Sequence, residues 1–149
     1  MSFFVARDAK FMPKKPGFLL GTKIRTKSGM VTIENLEQGT LVQTKDSGYL
    51  PIRSVEHYTI STEDEDAPIQ FDVGAIGNQE VLFLPPRMKV YYDGWEAQLI
   101  TGVEEALIET RWLVNNTSIA RTSGGIARYY NLVLDTVELV QANDVWCEV

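Results

Sequence analysis

This 149-residue sequence has one histidine and one cysteine, and with Thr22, Ser28 and Asn131 they are the side chains to weigh first for nucleophilic or proton-transfer chemistry. His57 lies in IRSVEHYTI, where strand alternation sets it beside Val55 and Tyr58 at a sheet surface. That is the setting of a hydrogen-bonded structural histidine rather than an acid–base group. Cys147, without a second cysteine, excludes an intrachain disulfide and a multi-cysteine metal site, and it reads as a packing thiol. Thr22 and Ser28 have no recognisable partner base. Asn131 has an amide capable of cyclisation, but it falls inside an expected strand and reads as structural. No His/Cys/Asp set has metal-ligand spacing, and no glycine-rich loop precedes a helix to hold phosphate. Neither a metal nor a cofactor is expected. The acidic run STEDEDAP, 61–68, lacks the alternating ligands and central glycine of a calcium loop and reads as a solvated loop.

The elements that would position these groups are mostly strands. Turn signals recur at short intervals: KSG at 27–29, KDSG at 45–48, Asp93-Gly94 and TSGG at 122–125. Asp93-Gly94 predicts a two-residue hairpin between MKVYY and WEAQLI, because both residues tolerate positive φ. In IARYYNLVLDTVELV, alternation places Tyr130, Leu132 and Leu134 on one side and Asn131 and Asp135 on the other. Helix is scarce. GVEEALIETRWLV predicts two turns over 103–113, and IENLEQG one turn ending at Gly39. The fold class is therefore all-β, mainly strands with one or two short helices, as one body over 17–149 behind an arm at 1–16.

Composition narrows the function. Apolar residues at 44% and charged ones at 23% are ordinary for a globular chain. No apolar run approaches the ~20 residues of a membrane span, and the patch in MSFFVARDAKFMPKKP is shorter than a signal-peptide core of about 7–15 residues. The expected location is the cytoplasm or a larger assembly, and the sequons at Asn115 and Asn116 then carry no meaning. Residues 1–30 hold seven basic residues against one acid, net +6; the remainder holds seven against nineteen, net −12. An acidic body repels phosphate, and aromatic and basic residues do not interleave, so nucleic acid is not an expected partner. The arm instead combines Arg7, Lys10, Lys14 and Lys15 with Phe3, Phe4, Phe11 and Met12, apolar groups costly to leave exposed. It is suited to an acidic protein surface, on this chain, another copy or a neighbouring subunit.

Several blocks, in order, resemble the Hint family of hedgehog/intein-type self-processing domains, in particular its compact bacterial form. GFLLGTKIRT at 17–26 is similar to that family's opening Cys-Phe, two variable residues, then Gly-Thr and a strand. VTIENLEQGTLVQT, then GAIGN at 74–78 with LPPRMKV at 84–90, then LVNNTSI, GGIARYYNLVLDTVELVQAND and VWCEV follow its later blocks. The resemblance implies a starting nucleophile that attacks the preceding carbonyl and a central histidine that protonates the leaving nitrogen. In this sequence the nucleophile position is Gly17. The central histidine falls on Met88, or on Arg87 with the frame moved by one; histidines of the terminal strands fall on Asn131 and Val137. Nucleophile and proton donors are missing together, so the resemblance implies a catalytically inactive domain, not an enzyme. The expected function is a structural or adaptor protein within a larger assembly, for example a virus particle. The alternative is a module binding a sugar, peptide or lipid head group in the vestigial cleft through Trp95, Trp112, Trp146, Tyr91-Tyr92 and Tyr129-Tyr130, residues for which core packing is the competing role.

Overall fold

Two short hairpins begin the fold, and side-chain hydroxyls close both. The computed structural model describes residues 17–61, 66–95, 98–99, 102, 106–123 and 125–149. After β1 (Phe18–Leu19), strand β2 (Lys23–Thr26) turns through Lys27-Ser28 into β3 (Gly29–Thr32). The Thr26 hydroxyl accepts from Ser28 N–H at 3.1 Å and donates to the Gly29 carbonyl at 2.7 Å. Strands β4 (Leu41–Gln43) and β5 (Tyr49–Pro51) flank KDSG in the same way, with the Thr44 hydroxyl accepting from Ser47 N–H and donating to the Gly48 carbonyl.

The remaining strands complete three sheets. β6 (Ser54–Ser61) is followed by β7 (Ile69–Phe71), β8 (Leu82–Leu84), β9 (Lys89–Tyr92) and β10 (Ala106–Glu109). β11 (Ile119–Arg121), β12 (Ile126–Val133), β13 (Leu139–Ala142) and β14 (Val145–Glu148) end the chain. The largest sheet runs β10-β9-β14-β13-β2-β4-β5 with β3 beside β2; the others are β1-β12-β6 and β11-β7-β8. Phe18, Ile24, Val42, Ile69, Leu84 and Val90 are wholly buried in one apolar cluster shared by these sheets. Leu132 joins it, with Tyr130 and Leu134 half-buried against it, so the alternation expected for β12 holds. The fold is all-β, as the sequence implies, and among the described residues no helix is long and apolar enough to cross a membrane.

Four local expectations are corrected. The segment 103–113 forms no α-helix where it is described: Ala106–Glu109 is β10 and Thr110–Leu113 a single 3-10 turn. Pairing overrides propensity here, because Ile108 faces Val90 across β9 and both are buried, which helix would not allow. Asp93-Gly94 does not form a hairpin between MKVYY and WEAQLI; β9 pairs with β10, after thirteen intervening residues. The tight primed turn belongs instead to Asn143-Asp144 between β13 and β14, at φ 47° and 71°. Within 61–68 the solvated reading fails at the end, since Ala67 and Pro68 are buried and the Pro68 carbonyl takes the Thr122 N–H and hydroxyl, both at 2.9 Å. Residues 62–65 lie outside the described residues, as do Phe3, Phe4, Arg7, Lys10, Phe11, Met12, Lys14 and Lys15 of the arm. The turn in IENLEQG spans Ile33–Asn35 and stops short of Gly39, whose N–H instead donates to the Ile52 carbonyl at 2.8 Å.

Candidate functional site

Gly17 is buried immediately before β1, and that strand lies antiparallel on β12, with Phe18 facing Tyr130 and Leu19 facing Tyr129. Carried one residue further, the register sets Gly17 across from Asn131. The two family positions at the ends of the sequence are thus brought together by sheet pairing. Between them there is no room for a nucleophile. A Cβ on Gly17 would lie 2.7 Å from Tyr129 Cβ, 3.3 Å from Tyr129 Cγ and 3.4 Å from the Tyr130 carbonyl oxygen. Contacts of 2.7 Å between carbons are repulsive, so glycine is required by packing as well as unable to react.

Tyr129 is wholly buried, on the face of β12 opposite Leu132, and its ring centroid lies 5.7 Å from that of Tyr58 at 44°. Burial pushes both phenols' pKa values well up, and for Tyr129 the neighbouring Tyr58 and Asp66 add to it. Tyr129 OH and Asn131 Oδ1 are buried, and neither has a hydrogen-bond partner among the described residues. Each such orphan costs about 1–3 kcal/mol.

The other family positions are Met88, with Arg87 before it, and Val137. Met88 is buried in the apolar cluster that holds Phe18, its N–H donating to the Pro85 carbonyl at 3.2 Å and its carbonyl accepting from Thr110 N–H at 3.0 Å. A thioether in an apolar cluster carries no transferable proton. Arg87 is exposed, and Val137 is 73% exposed between β12 and β13.

The reactive side chains singled out in the sequence are placed as follows. Cys147 is wholly buried, donates to the Val145 carbonyl at 3.5 Å, and its thiol pKa is raised by desolvation. His57 is exposed on β6, facing Tyr130, and its Nδ1 lies 3.0 Å from Arg128 Nη2. A guanidinium only donates, so Nδ1 accepts and the neutral ring carries its proton on Nε2. The Thr22 hydroxyl donates to the Leu19 carbonyl at 2.7 Å, and Ser28 sits in the β2–β3 turn. Among the described residues no three His, Cys, Asp or Glu side chains converge as metal ligands would.

Beside β1 lies an open groove of about 360 Å³, lined by Leu19, Leu20, Phe83, Ile126, Ala127 and Arg128 among others. None of the tryptophans or tyrosine pairs named as stacking surfaces lines it; Phe83, unremarked in the sequence, does. Core packing also fails for two of those residues, as Trp95 is 68% and Trp112 57% exposed. Arg111 lies over the Trp112 ring at 4.4 Å and Lys45 over Tyr91 at 4.4 Å, so cations rather than ligands cover part of these rings. Tyr129 itself had one sequence signal. It stands two residues before Asn131, so alternation puts both on one face of the strand.

Comparison with known proteins agrees with this architecture. The Hint domain profile matches residues 16–149. The solution structure of a bacterial intein-like domain from Clostridium thermocellum is similar in fold, at 16% identity and a TM-score of 0.63 over 91% of this chain and all of that one. A splice-inactive variant of the AceL NrdHF class 3 split intein gives 15% identity and a TM-score of 0.56 over 90% and 97% of the two chains. The gp41-1 intein gives 13% and 0.52 over 89% and 98%. No curated protein matches in sequence. With the profile covering nearly the whole chain, this protein belongs to the Hint domain family.

Proposed function

We propose that this Hint domain neither cleaves nor splices itself, and that it serves as a structural or adaptor module that holds other protein chains. The observation that carries the first half is the contact between Gly17 and Tyr129. A residue without a side chain stands at the family's nucleophile position, and an aromatic side chain fills the space a nucleophile would need. Met88 in the central block and Asn131 opposite leave no imidazole to protonate a leaving nitrogen. Loss of one group in such a mechanism already removes most of the rate.

The second half is supported by the opposite charges of residues 1–30 and the rest of the chain, net +6 against −12. That distribution favours head-to-body association of subunits in a larger assembly, of which a virus particle is one form. Intact-mass spectrometry of the full chain, with and without thiol, tests the first half: an unchanged mass is expected, and a fragment beginning at Gly17 overturns it. Light scattering on the full chain and on a chain lacking residues 1–16 tests the second. Assembly through the arm is lost on deletion and weakens with salt.

A second reading rests on the groove beside β1. Leu20 and Ile126 stand exposed on its rim, which suits an apolar peptide or acyl segment better than a sugar. Deleting residues 1–16 leaves such binding intact.

A further inference from the structure

Strand β12 is paired unequally on its two edges. β6 covers one edge from Ile126 to Val133, whereas β1 covers the other only at Tyr129 and Tyr130. The chain turns off after Leu19, whose carbonyl takes both the N–H and the hydroxyl of Thr22, at 3.1 and 2.7 Å. Among the described residues no strand pairs with that edge at Ile126–Arg128, and the groove of about 360 Å³ lies there. Its rim is apolar and open: Leu20 is 67% and Ile126 76% exposed. Acidic sequence adjoins it. Ser61 pairs with Ile126, Pro68 lines the groove, and the chain between them carries Glu63, Asp64, Glu65 and Asp66, of which Asp66 is exposed.

We infer that the apolar run of the arm, Phe3-Phe4-Val5, occupies this groove on its own chain. The inference rests on the reading of the arm as the holding element and names the body surface it holds; assembly is then the exchange of the same contact between copies. The chemistry matches along the sequence. The apolar run meets an apolar rim, and Arg7 and Lys10 follow it toward the acidic connector. The length also matches. The register continued past Leu19 sets Ile126 five residues of strand from Gly17, about 17 Å. Residues 6–16 extend to about 36 Å, enough to return with one reversal, for which Pro13 and Pro16 are suited. A tether of this kind gives the arm a local concentration in the millimolar range, so it fills the groove ahead of a free peptide or acyl chain. Arg128, the one charged lining residue among those described, is engaged on its own sheet, 3.0 Å from His57 Nδ1 and 5.9 Å over the Tyr130 ring.

Alkylation of single introduced cysteines in the full chain tests this, because Cys147 is buried and does not compete. Ile126→Cys and Leu20→Cys stand on the rim; Val137→Cys, at a position 73% exposed, is the control. The rate with iodoacetamide, read by intact mass, is compared with and without the paired arm changes Phe3→Ser and Phe4→Ser. These changes are expected to speed both rim cysteines about tenfold, as uncovering a site filled about nine-tenths of the time does, and to leave the control unchanged. The protection is expected to be the same at every protein concentration. Rim rates that ignore the arm changes overturn the inference. Protection that appears only as concentration rises puts a neighbour's arm in the groove and overturns the seat on the arm's own chain. A protected rim in a chain that does not assemble removes only the adaptor reading, whereas an unprotected rim in a chain that does assemble removes only this inference.

Discussion

Tyr129 Cβ stands 2.7 Å from the point where any side chain at Gly17 would begin. The contact arises from pairing. β1 lies on β12 so that Leu19 faces Tyr129, and the chain just before β1 runs beneath the tyrosine's own Cβ. Gly17→Ala is therefore expected to destabilise the fold by about 1–3 kcal/mol, the cost of overpacking. Denaturant midpoints measure it. In a double-mutant cycle, Tyr129→Ala should offset the cost of Gly17→Ala. Additive losses would mean that the two residues do not compete for space.

The phenol of Tyr129 is an expense in the fold. Its hydroxyl is buried with no partner among the described residues, so Tyr129→Phe is expected to raise stability by about 1–2 kcal/mol. The same variant tests an alkaline limb. Burial raises the pKa values of Tyr58, Tyr129 and Cys147 in the folded state. The unfolded chain then releases protons first, so stability is whole below about pH 8 and falls as pH rises through the unfolded thiol and phenol values near 8.5 and 10. Tyr129→Phe should shallow the fall above pH 10, read from thermal midpoints across that range.

At low pH the sign reverses. Asp135 is held below the usual carboxylate range by two hydrogen bonds from Arg53, Nε at 2.7 Å and Nη2 at 2.6 Å, and Glu34 by the Gly21 N–H at 2.9 Å. Their contribution is present above the unfolded carboxylate values near pH 4 and is lost as pH falls through the lower folded ones. Both groups are open to solvent, so the effect is small and salt-sensitive. Arg53→Gln should lower the neutral midpoint slightly and leave the midpoint at low pH unchanged, which flattens the acid limb. An unaltered acid limb would show that the pair is not held in solution.

The sequence disclosed the sheets more readily than the site. Turns closed by a local hydroxyl or by paired positive φ are written into adjacent residues, so KSG and KDSG marked turns correctly. Asp93-Gly94 carried the same mark and misled, because the choice of strand partner was made by Ile108 facing Val90, a contact between residues eighteen apart. The absence at Gly17 was legible as a missing side chain. That Tyr129 fills the space was not, because it depends on the β1–β12 register. Trp95 and Trp112 failed in the other direction: aromatic content alone does not say which face of an element points outward.

The last expectation concerns what restoring a nucleophile achieves. Gly17→Cys adds a thiol, but its Cβ meets Tyr129, and no imidazole lies in the central block to protonate a leaving nitrogen. Gly17→Cys combined with Tyr129→Ala relieves the first obstacle and leaves the second, since the Met88 thioether holds no proton. Both variants are expected to keep full mass through prolonged incubation with thiol, monitored by intact-mass spectrometry. Adding Met88→His supplies the group but buries an imidazole in an apolar cluster, at about 1–3 kcal/mol unless it finds a partner. Thiol-dependent cleavage in the single Gly17→Cys variant would show that another group protonates the leaving nitrogen and that Tyr129 yields its place.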